Sequence, residues 1–315
     1  MKKTAFLFPG QGSQSVGMGR ALFDASVEAR ALFEMAETVS ALPVQRLCFE
    51  GPMAELTETI NLQPAVTAVN LACLAVLGAR GLRPDVVAGH SLGEFSALCA
   101  AGIASPQAAI RLVHRRGVLM HREATRNGGA MAAIIGLPMD QVQALVDQAK
   151  ADLPGGVVAV ANHNAETQIV ITGAPEPVGR VSALAAGRKA KAVPLKVSGA
   201  WHSPLIAGAE SEFREFLGEF EFNAPEVPVL HNVTAAPEKD PEAIRGLMAR
   251  QLCSPVRWYD TVRRLLEDGV EVIAEIGPGK VLTGLVRKIA PKDAGIAVVN
   301  VADPDGVEKL AEAMG

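Results

Sequence analysis

The sequence predicts an α/β protein with a mainly parallel sheet and a second, smaller domain inserted into the first. Short apolar runs alternate with helical patterns along most of the chain, and this order of elements is typical of a parallel sheet. One central segment departs from the alternation and has the element order of a separate unit. A chain of 315 residues that is 49% hydrophobic is long enough for one or two domains with large buried cores.

The strands of the larger domain are predicted from short apolar runs, because strands covered on both faces carry few polar residues. These runs occupy residues 4–8, 85–89, 227–230, 271–276 and 296–300. The stretch 64–82 is also strongly apolar, but Asn70 and Arg80 interrupt it. We therefore expect a buried core helix there and not a membrane span. A second long helix is predicted over 106–126.

The central segment has the order strand, helix, strand, strand, helix, strand. The predicted elements cover residues 130–137, 139–151, 157–163, 168–172, 175–188 and 190–197. This βαββαβ order is the ferredoxin-like arrangement. We therefore predict a small domain at 128–197 inserted into a discontinuous large domain, 1–127 and 198–315. A cleft between two such domains is a favoured place for a ligand.

Charge and cysteine usage exclude several classes of function. The chain has 30 basic and 34 acidic side chains and a net charge of −4, so nothing indicates binding to nucleic acid or to a membrane surface. The four cysteines are widely spaced and form no Cys-x-x-Cys pair, so neither a metal site nor a disulfide framework is expected. A reducing compartment fits this usage, and we expect a cytoplasmic protein.

Residues 89–94, Gly-His-Ser-Leu-Gly-Glu, follow the apolar stretch 85–88. A Gly-x-Ser-x-Gly pentapeptide between a strand and a helix is typical of a nucleophile elbow, so the large domain is predicted to be hydrolase-like. Ser91 would then stand at a helix N-terminus, where free N–H groups can stabilise an oxyanion. The alternative is a serine that only caps the helix of an ordinary strand–loop–helix connection.

A serine nucleophile needs a base, and the chain offers six histidines. His202 lies in the loop 198–204, where the chain leaves the inserted domain and can face the cleft. Its position makes His202 the best candidate base, although a structural role is equally open.

Arg116 falls on the apolar face of the predicted helix 106–126, at 100° per residue. The apolar residues on that face are Ala109, Leu112, Val113 and Met120. A charge directed at the core needs a partner. That partner is either an internal carboxylate in a structural ion pair or the carboxylate of a substrate, which suits the guanidinium fork.

Residues 8–14, Phe-Pro-Gly-Gln-Gly-Ser-Gln, follow the first predicted strand. A dinucleotide fingerprint would need a third glycine where Ser15 stands, so that interpretation is weak. The two glycines around Gln11 favour a backbone held close to a reacting centre, with a plain turn as the alternative.

With these motifs the chain resembles the malonyl-CoA:acyl carrier protein transacylases of bacterial type II fatty acid synthesis over nearly its whole length. The matching segments are Phe8–Gln14, Gln63–Ala65, Gly89–Glu94, Arg116-Gly117, Ser198–His202, Asn232-Val233, Gln251-Leu252 with Pro255-Val256, and Glu275–Gly279. Their order and spacing together are far more specific than any one of them.

The resemblance implies a ping-pong transfer of malonyl from malonyl-CoA, through an ester on Ser91, to the phosphopantetheine thiol of acyl carrier protein. His202 would be the general base and acid, and Arg116 would bind the malonyl carboxylate. The implied supporting roles are an oxyanion hole from the backbone N–H groups of Gln11 and Leu92, a His-orienting carbonyl at Gln251, and pocket lining by Gln63, Trp201 and Asn162. Trp201 stands where relatives more often carry Phe. No bound cofactor or metal is implied, and a monomer is expected.

Three alternatives remain beside this interpretation. A serine esterase or thioesterase would share the elbow but needs an acidic residue and then a late histidine after the serine. The acyltransferase subunit of a malonate decarboxylase would use similar chemistry on a different carrier. A non-catalytic carrier-binding module is disfavoured because Ser91, His202, Arg116 and Gln11 are all present.

Overall fold

A computed structural model describes residues 2–315, and in it the chain forms two separate sheets flanked by helices. Strands are numbered in chain order. The larger sheet contains β1 (Thr4–Phe8), β2 (Val86–Gly89), β7 (Val229–Leu230), β8 (Val272–Ile276) and β9 (Ala297–Val301). The smaller sheet contains β3 (Ala130–Ile135), β4 (Val158–Ala165), β5 (Gln168–Gly173) and β6 (Lys191–Pro194).

The helices are also numbered in chain order. The first seven are α1 (Arg20–Ala25), α2 (Val27–Ser40), α3 (Val44–Phe49), α4 (Met53–Thr57), α5 (Thr59–Ala79), α6 (Gly93–Ala100) and α7 (Pro106–Asn127). The others are α8 (Met139–Asp152), α9 (Pro175–Gly187), α10 (Gly208–Leu217), α11 (Pro241–Arg250), α12 (Trp258–Glu267), α13 (Val281–Ile289) and α14 (Pro304–Met314). A short 3-10 helix covers Pro204–Ile206.

The larger sheet has the strand order β7-β2-β1-β8-β9, and every neighbouring pair is parallel. Both of its faces are covered: in β1, Phe6 and Phe8 belong to one core while Ala5 and Leu7 belong to the other. The predicted α/β fold with a parallel sheet is confirmed. The run at 227–230 yields only the two-residue strand β7, since Pro228 has no N–H to donate to a neighbouring strand.

The smaller sheet is antiparallel, with the strand order β4-β5-β3-β6. Ile134 and Ile171 face a core that includes side chains of α8 and α9, whereas Met131 and Val170 pack in a cluster with Trp201 on the other face. The predicted βαββαβ arrangement is confirmed. Its last strand, predicted over 190–197, is shorter than expected and ends at Pro194. The division into a small domain at 128–197 and a discontinuous large domain stays a prediction.

Backbone hydrogen bonds join the smaller sheet to the rest of the molecule along β4. The N–H of Val256 donates to the carbonyl of Ala161 at 2.8 Å, and the N–H of His163 donates to the carbonyl of Val256 at 2.9 Å. The face of the smaller sheet that carries Met131 and Val170 packs against Trp201 of the larger unit, on the side of the sheet away from α8 and α9.

Helix α5 contains the apolar stretch that the sequence assigns to the core. By length and composition it is the one helix among residues 2–315 that would suffice to cross a bilayer, and 72% of its most apolar window is buried inside the fold. Helix α7 packs closely on it at Gly117, where a Cβ atom would lie only 2.9 Å from the Thr59 carbonyl oxygen. This approach, which only glycine permits, brings Arg116 beside Gln63.

Candidate active site

Ser91 lies on a sharp turn between β2 and α6 with a φ of 50°, in the left-handed region that non-glycine residues rarely adopt. The glycines on either side are required by close packing. A Cβ atom at residue 89 would lie 2.0 Å from the Gly93 carbonyl carbon, and one at residue 93 would lie 1.9 Å from the Phe8 carbonyl oxygen. The pentapeptide therefore forms the tight elbow that its sequence predicts, and not a loosely capped helix.

The Ser91 hydroxyl contacts His202, which lies in the loop after β6, 111 residues further along the chain. The distance from Ser91 Oγ to His202 Nε2 is 2.8 Å. His202 Nδ1 lies 2.9 Å from the Gln251 carbonyl oxygen and 3.1 Å from the Ser254 carbonyl oxygen. Because both of these partners are acceptors, Nδ1 carries the proton and Nε2 is left to accept one from serine.

Within residues 2–315, no carboxylate occupies the position of a third triad member. The partners of His202 Nδ1 among the described residues are main-chain carbonyls. This arrangement differs from the Ser-His-Asp triad that an α/β-hydrolase would carry.

Burial keeps the His202 imidazole neutral. The side chain is 4% exposed, and burial, followed by the positive charge of Arg116, lowers the pKa of His202 from 6.5 to about 3. The carbonyl of Gln251 acts in the opposite direction, but its effect is smaller. The imidazole is therefore available as a proton acceptor at neutral pH.

Arg116 is buried, with 2% of its surface exposed, and all its hydrogen-bond partners are uncharged. Its Nη1 donates to Gln63 Oε1, and its Nη2 donates to Ser91 Oγ and to Gln251 Oε1, each at 3.1 Å. Among residues 2–315 it forms no salt bridge with a carboxylate. Burial lowers the pKa of Arg116 to about 10, so the side chain remains charged at neutral pH without a counter-ion in direct contact.

The three side chains open into a cleft with about 560 Å³ of empty space, part of it continuous with solvent. Its lining comprises Gln11, Gln63, His90, Ser91, Leu92, Arg116, Met120, Met131, Asn162, Leu195, Val197, Trp201 and His202. Eight of the nine residues singled out from the sequence thus line one cleft. The ninth, Gln251, is buried behind it.

Two backbone donors in this cleft are unused. Neither the Gln11 N–H nor the Leu92 N–H donates to a protein acceptor in the part of the chain that the structure describes. Gln11 belongs to the turn after β1, and the side chain of Asn70 holds that turn by donating to the Pro9 carbonyl oxygen at 3.0 Å. Leu92 is the residue before α6. Both donors are therefore free for a ligand oxygen beside Ser91.

Several residues of the site escaped the sequence analysis. Asn232 accepts the Ser91 N–H at 2.6 Å and donates to the Gly89 carbonyl oxygen at 2.6 Å, which holds the elbow. Glu94 lies behind Gln251 and accepts from its side chain at 2.6 Å. Asn232 belongs to one of the segments that match the transacylase family, but nothing in the neighbouring sequence indicates a partner 141 residues away.

Within residues 2–315, no group of three or more His, Cys, Asp or Glu side chains is arranged to hold a metal ion. The chemistry that the geometry supports is attack by an activated serine on a carbonyl group whose substituent carries a negative charge.

Comparison with known proteins agrees with this geometry. The family model described as the acyl transferase domain matches residues 5–304. A malonyl CoA-acyl carrier protein transacylase of Bacillus subtilis (strain 168) is 40% identical over 309 residues, which cover 98% of this chain and 96% of that protein.

Solved structures are similar over the same extent. An acyl carrier protein S-malonyltransferase of Vibrio cholerae has a TM-score of 0.93 at 40% identity, covering 98% of this chain and 99% of that one. A malonyl-transacylase solved in complex with its type II polyketide synthase acyl carrier protein has a TM-score of 0.93 at 37% identity, covering 98% and 99%. Since these matches span the whole chain and the elbow, histidine and arginine meet in one cleft, the protein belongs to the acyl transferase family, as a member of its malonyl CoA-acyl carrier protein transacylases.

Proposed function

We propose that the protein transfers a malonyl group from malonyl-CoA to the phosphopantetheine thiol of an acyl carrier protein, through a malonyl ester on Ser91. One observation carries the proposal: the same hydroxyl contacts a neutral imidazole at 2.8 Å and a buried guanidinium at 3.1 Å. The first group activates a nucleophile, and the second binds a carboxylate. The names of the relatives support the same substrate and the same acceptor.

In the first half-reaction Ser91 Oγ attacks the thioester carbonyl carbon while His202 Nε2 takes the hydroxyl proton. The C–S bond then breaks, and the imidazolium returns the proton to the departing CoA sulfur. The N–H of His202 Nδ1, held by two carbonyl oxygens, keeps the ring aligned during both transfers.

The tetrahedral intermediate needs donors aimed at its oxyanion. The free N–H groups of Gln11 and Leu92, which line the same cleft as Ser91, would supply them. Such preorganised donors act most strongly where water is excluded, and this cleft is largely lined by buried side chains.

In the second half-reaction the phosphopantetheine thiol of the carrier attacks the ester carbonyl. His202 takes the thiol proton and returns it to Ser91 Oγ as the ester bond breaks. Free CoA leaves before the carrier acts, so the kinetics are ping-pong. No metal or bound cofactor enters either step, and phosphopantetheine belongs to the carrier.

The short distance from Arg116 to the nucleophile selects the acyl group. In a malonyl ester one methylene separates the carbonyl from the carboxylate, which suits a guanidinium one hydrogen bond from Ser91 Oγ. An acetyl group has no carboxylate that the Arg116 guanidinium could bind. Gln63 and Gln251 hold the two Nη atoms in place, so the guanidinium is aligned before substrate arrives.

The guanidinium of Arg116 also affects the basicity of His202. The charge of Arg116 is the second cause of the low pKa of His202. When the malonyl carboxylate neutralises that charge, the pKa of His202 rises and the imidazole becomes a stronger base. The correct substrate thus improves the group that activates the nucleophile.

The carrier is the second partner, and its acidic surface needs basic residues near the cleft. The exposed candidates are Arg188, Lys189, Lys191, Arg287 and Lys288. Lys288 donates to Gln168 Oε1 at 3.0 Å, which brings α13 against the smaller sheet. We place the reaction in the cytoplasm, in keeping with four free cysteines and with substrates of fatty acid synthesis.

Intact-mass spectrometry tests this function. Brief incubation with malonyl-CoA is expected to add one malonyl group to the protein, with no adduct from acetyl-CoA and none on the Ser91→Ala variant. Addition of phosphopantetheinylated carrier protein is expected to discharge the adduct, whereas carrier without the prosthetic group leaves it in place. Release of CoA without any adduct would indicate a hydrolase and refute the proposal.

A further inference from the structure

Glu94 carries a buried carboxylate that takes no part in the transfers described above. It lies in the first turn of α6, three residues after Ser91, and is 1% exposed. In the described structure no hydrogen bond joins it directly to Ser91 Oγ, His202 or Arg116. A carboxylate removed from water is costly unless donors surround it, so the donors that surround this one identify its role.

All three of its partners are donors that lead toward the site. Glu94 Oε2 accepts from Gln251 Nε2 at 2.6 Å. Glu94 Oε1 accepts from His231 Nδ1 at 2.8 Å and from the Asn232 N–H at 3.3 Å. The carboxylate therefore ties together two chain segments that contact the backbone of Ser91, one at its N–H and the other at its carbonyl oxygen.

The contact with Gln251 determines which end of that amide faces Arg116. Gln251 Nε2 has two hydrogens: one goes to Glu94 and the other to the Ser91 carbonyl oxygen at 2.9 Å. With both hydrogens used, Oε1 is left to accept from Arg116 Nη2 at 3.1 Å. In the opposite orientation an NH₂ group would face the guanidinium, two donors against each other.

The Gln251 amide also separates the two charges. The negative charge of Glu94 partly offsets the effect of burial on Arg116, acting to raise the pKa that desolvation lowers. The Glu94 carboxylate makes no hydrogen bond to the Arg116 guanidinium, because the Gln251 amide lies between them. In a direct ion pair, a substrate carboxylate would first have to displace Glu94.

We propose that Glu94 is a positioning residue for the malonyl carboxylate: it orients the Gln251 amide and thereby holds the Arg116 guanidinium aligned and free of a direct carboxylate partner. This inference rests on the proposed function and adds a residue whose carboxylate makes no hydrogen bond to Ser91, His202 or Arg116.

The substitution Glu94→Gln tests it, because an amide cannot accept at both ends. The new NH₂ group must face either Gln251 Nε2, where two donors oppose each other, or His231 and Asn232, where the Asn232 N–H opposes it whichever tautomer His231 adopts. We expect the rate of malonyl loading at limiting malonyl-CoA to fall about tenfold or more, the usual effect of losing a charge-assisted contact. Phenylmethylsulfonyl fluoride has no carboxylate, so its reaction with Ser91 should slow by less than about threefold.

Glu275→Gln is the matched control. Glu275 is as buried as Glu94, and its two carboxylate oxygens likewise each accept a hydrogen bond, from the N–H groups of Leu282 and Thr283. These bonds cap α13, outside the cleft. Both rates should stay at the level of the unaltered protein in this variant.

The outcomes separate the possibilities. Unchanged malonyl loading in Glu94→Gln would overturn the inference, and so would an equal fall in both rates, which would mean that Glu94 only maintains the elbow. Failure of the unaltered protein to be malonylated would overturn the proposed function and this inference with it.

A second variant serves if Glu94→Gln does not fold. Gln251→Met removes the amide and keeps the main-chain carbonyl that holds His202. It should show the same pattern, with malonyl loading reduced and sulfonylation maintained. Loading at the level of the unaltered protein would overturn the inference, since the path from Glu94 to Arg116 runs through that amide.

Discussion

Replacement of Arg116 by alanine should remove the preference for malonyl and leave the nucleophile working. The guanidinium makes three hydrogen bonds at 3.1 Å, of which only one reaches Ser91 Oγ. His202 contacts that oxygen independently at 2.8 Å. The variant therefore keeps the base and the oxyanion donors while it loses the fork that binds the malonyl carboxylate.

The magnitude follows from the type of contact. A hydrogen bond to a charged group contributes about 1.5–3 kcal/mol, which corresponds to about a ten- to hundredfold change in rate. We expect the rate of malonyl loading relative to acetyl loading to fall by that factor in Arg116→Ala. The same ratio for Arg116→Lys should lie between those of the unaltered protein and Arg116→Ala, because an ammonium keeps the charge but not the planar fork.

Single-turnover loading followed by intact mass, with malonyl-CoA and acetyl-CoA at equal concentrations, measures this ratio directly. Arg111→Ala is the matched control, since Arg111 lies on the exposed face of the same helix and stacks over Phe220 at 4.8 Å. The reasoning would be refuted if Arg116→Ala kept the malonyl preference, or if it lost both activities equally while Arg111→Ala kept them.

Two further results are expected. Because the pKa of His202 is lowered to about 3, the base stays unprotonated well below the ordinary pKa of 6.5, so loading at limiting malonyl-CoA should stay level from pH 8 to about 5. Arg116→Met removes a charge that lowers this pKa, so the acid limb of its pH–rate profile should move to higher pH. An inflection near pH 6.5 in the profile of the unaltered protein would contradict the buried-base interpretation. Gly93→Ala should destabilise the fold, since its Cβ would lie 1.9 Å from the Phe8 carbonyl oxygen, whereas Gly246→Ala meets nothing within 4 Å. Thermal melting of the two variants measures this difference, and equal melting temperatures would argue against a tightly packed elbow.

Features that depend on neighbours along the chain can be predicted from the amino-acid sequence alone. Apolar runs place β1 and β8 within one residue of their predicted bounds, and helix α7 lies within one residue of the helix predicted over 106–126. The βαββαβ order and the elbow around Ser91 are equally local. Each follows from backbone preferences and side-chain spacing, which are properties of short segments.

Contacts between groups that are distant along the chain depend on the tertiary fold. From the residues alone, His202 had equal prospects as base or structural residue, and Arg116 had two possible partners. Only the fold shows that His202 Nε2 reaches Ser91 Oγ across 111 residues, and that Gln251 accepts from Arg116 across 135. The Glu94 contact across 157 residues was not predicted at all. A hydrogen bond leaves no periodicity in the sequence, because its direction and length depend on how separate helices and loops pack, and that packing is a property of the whole core.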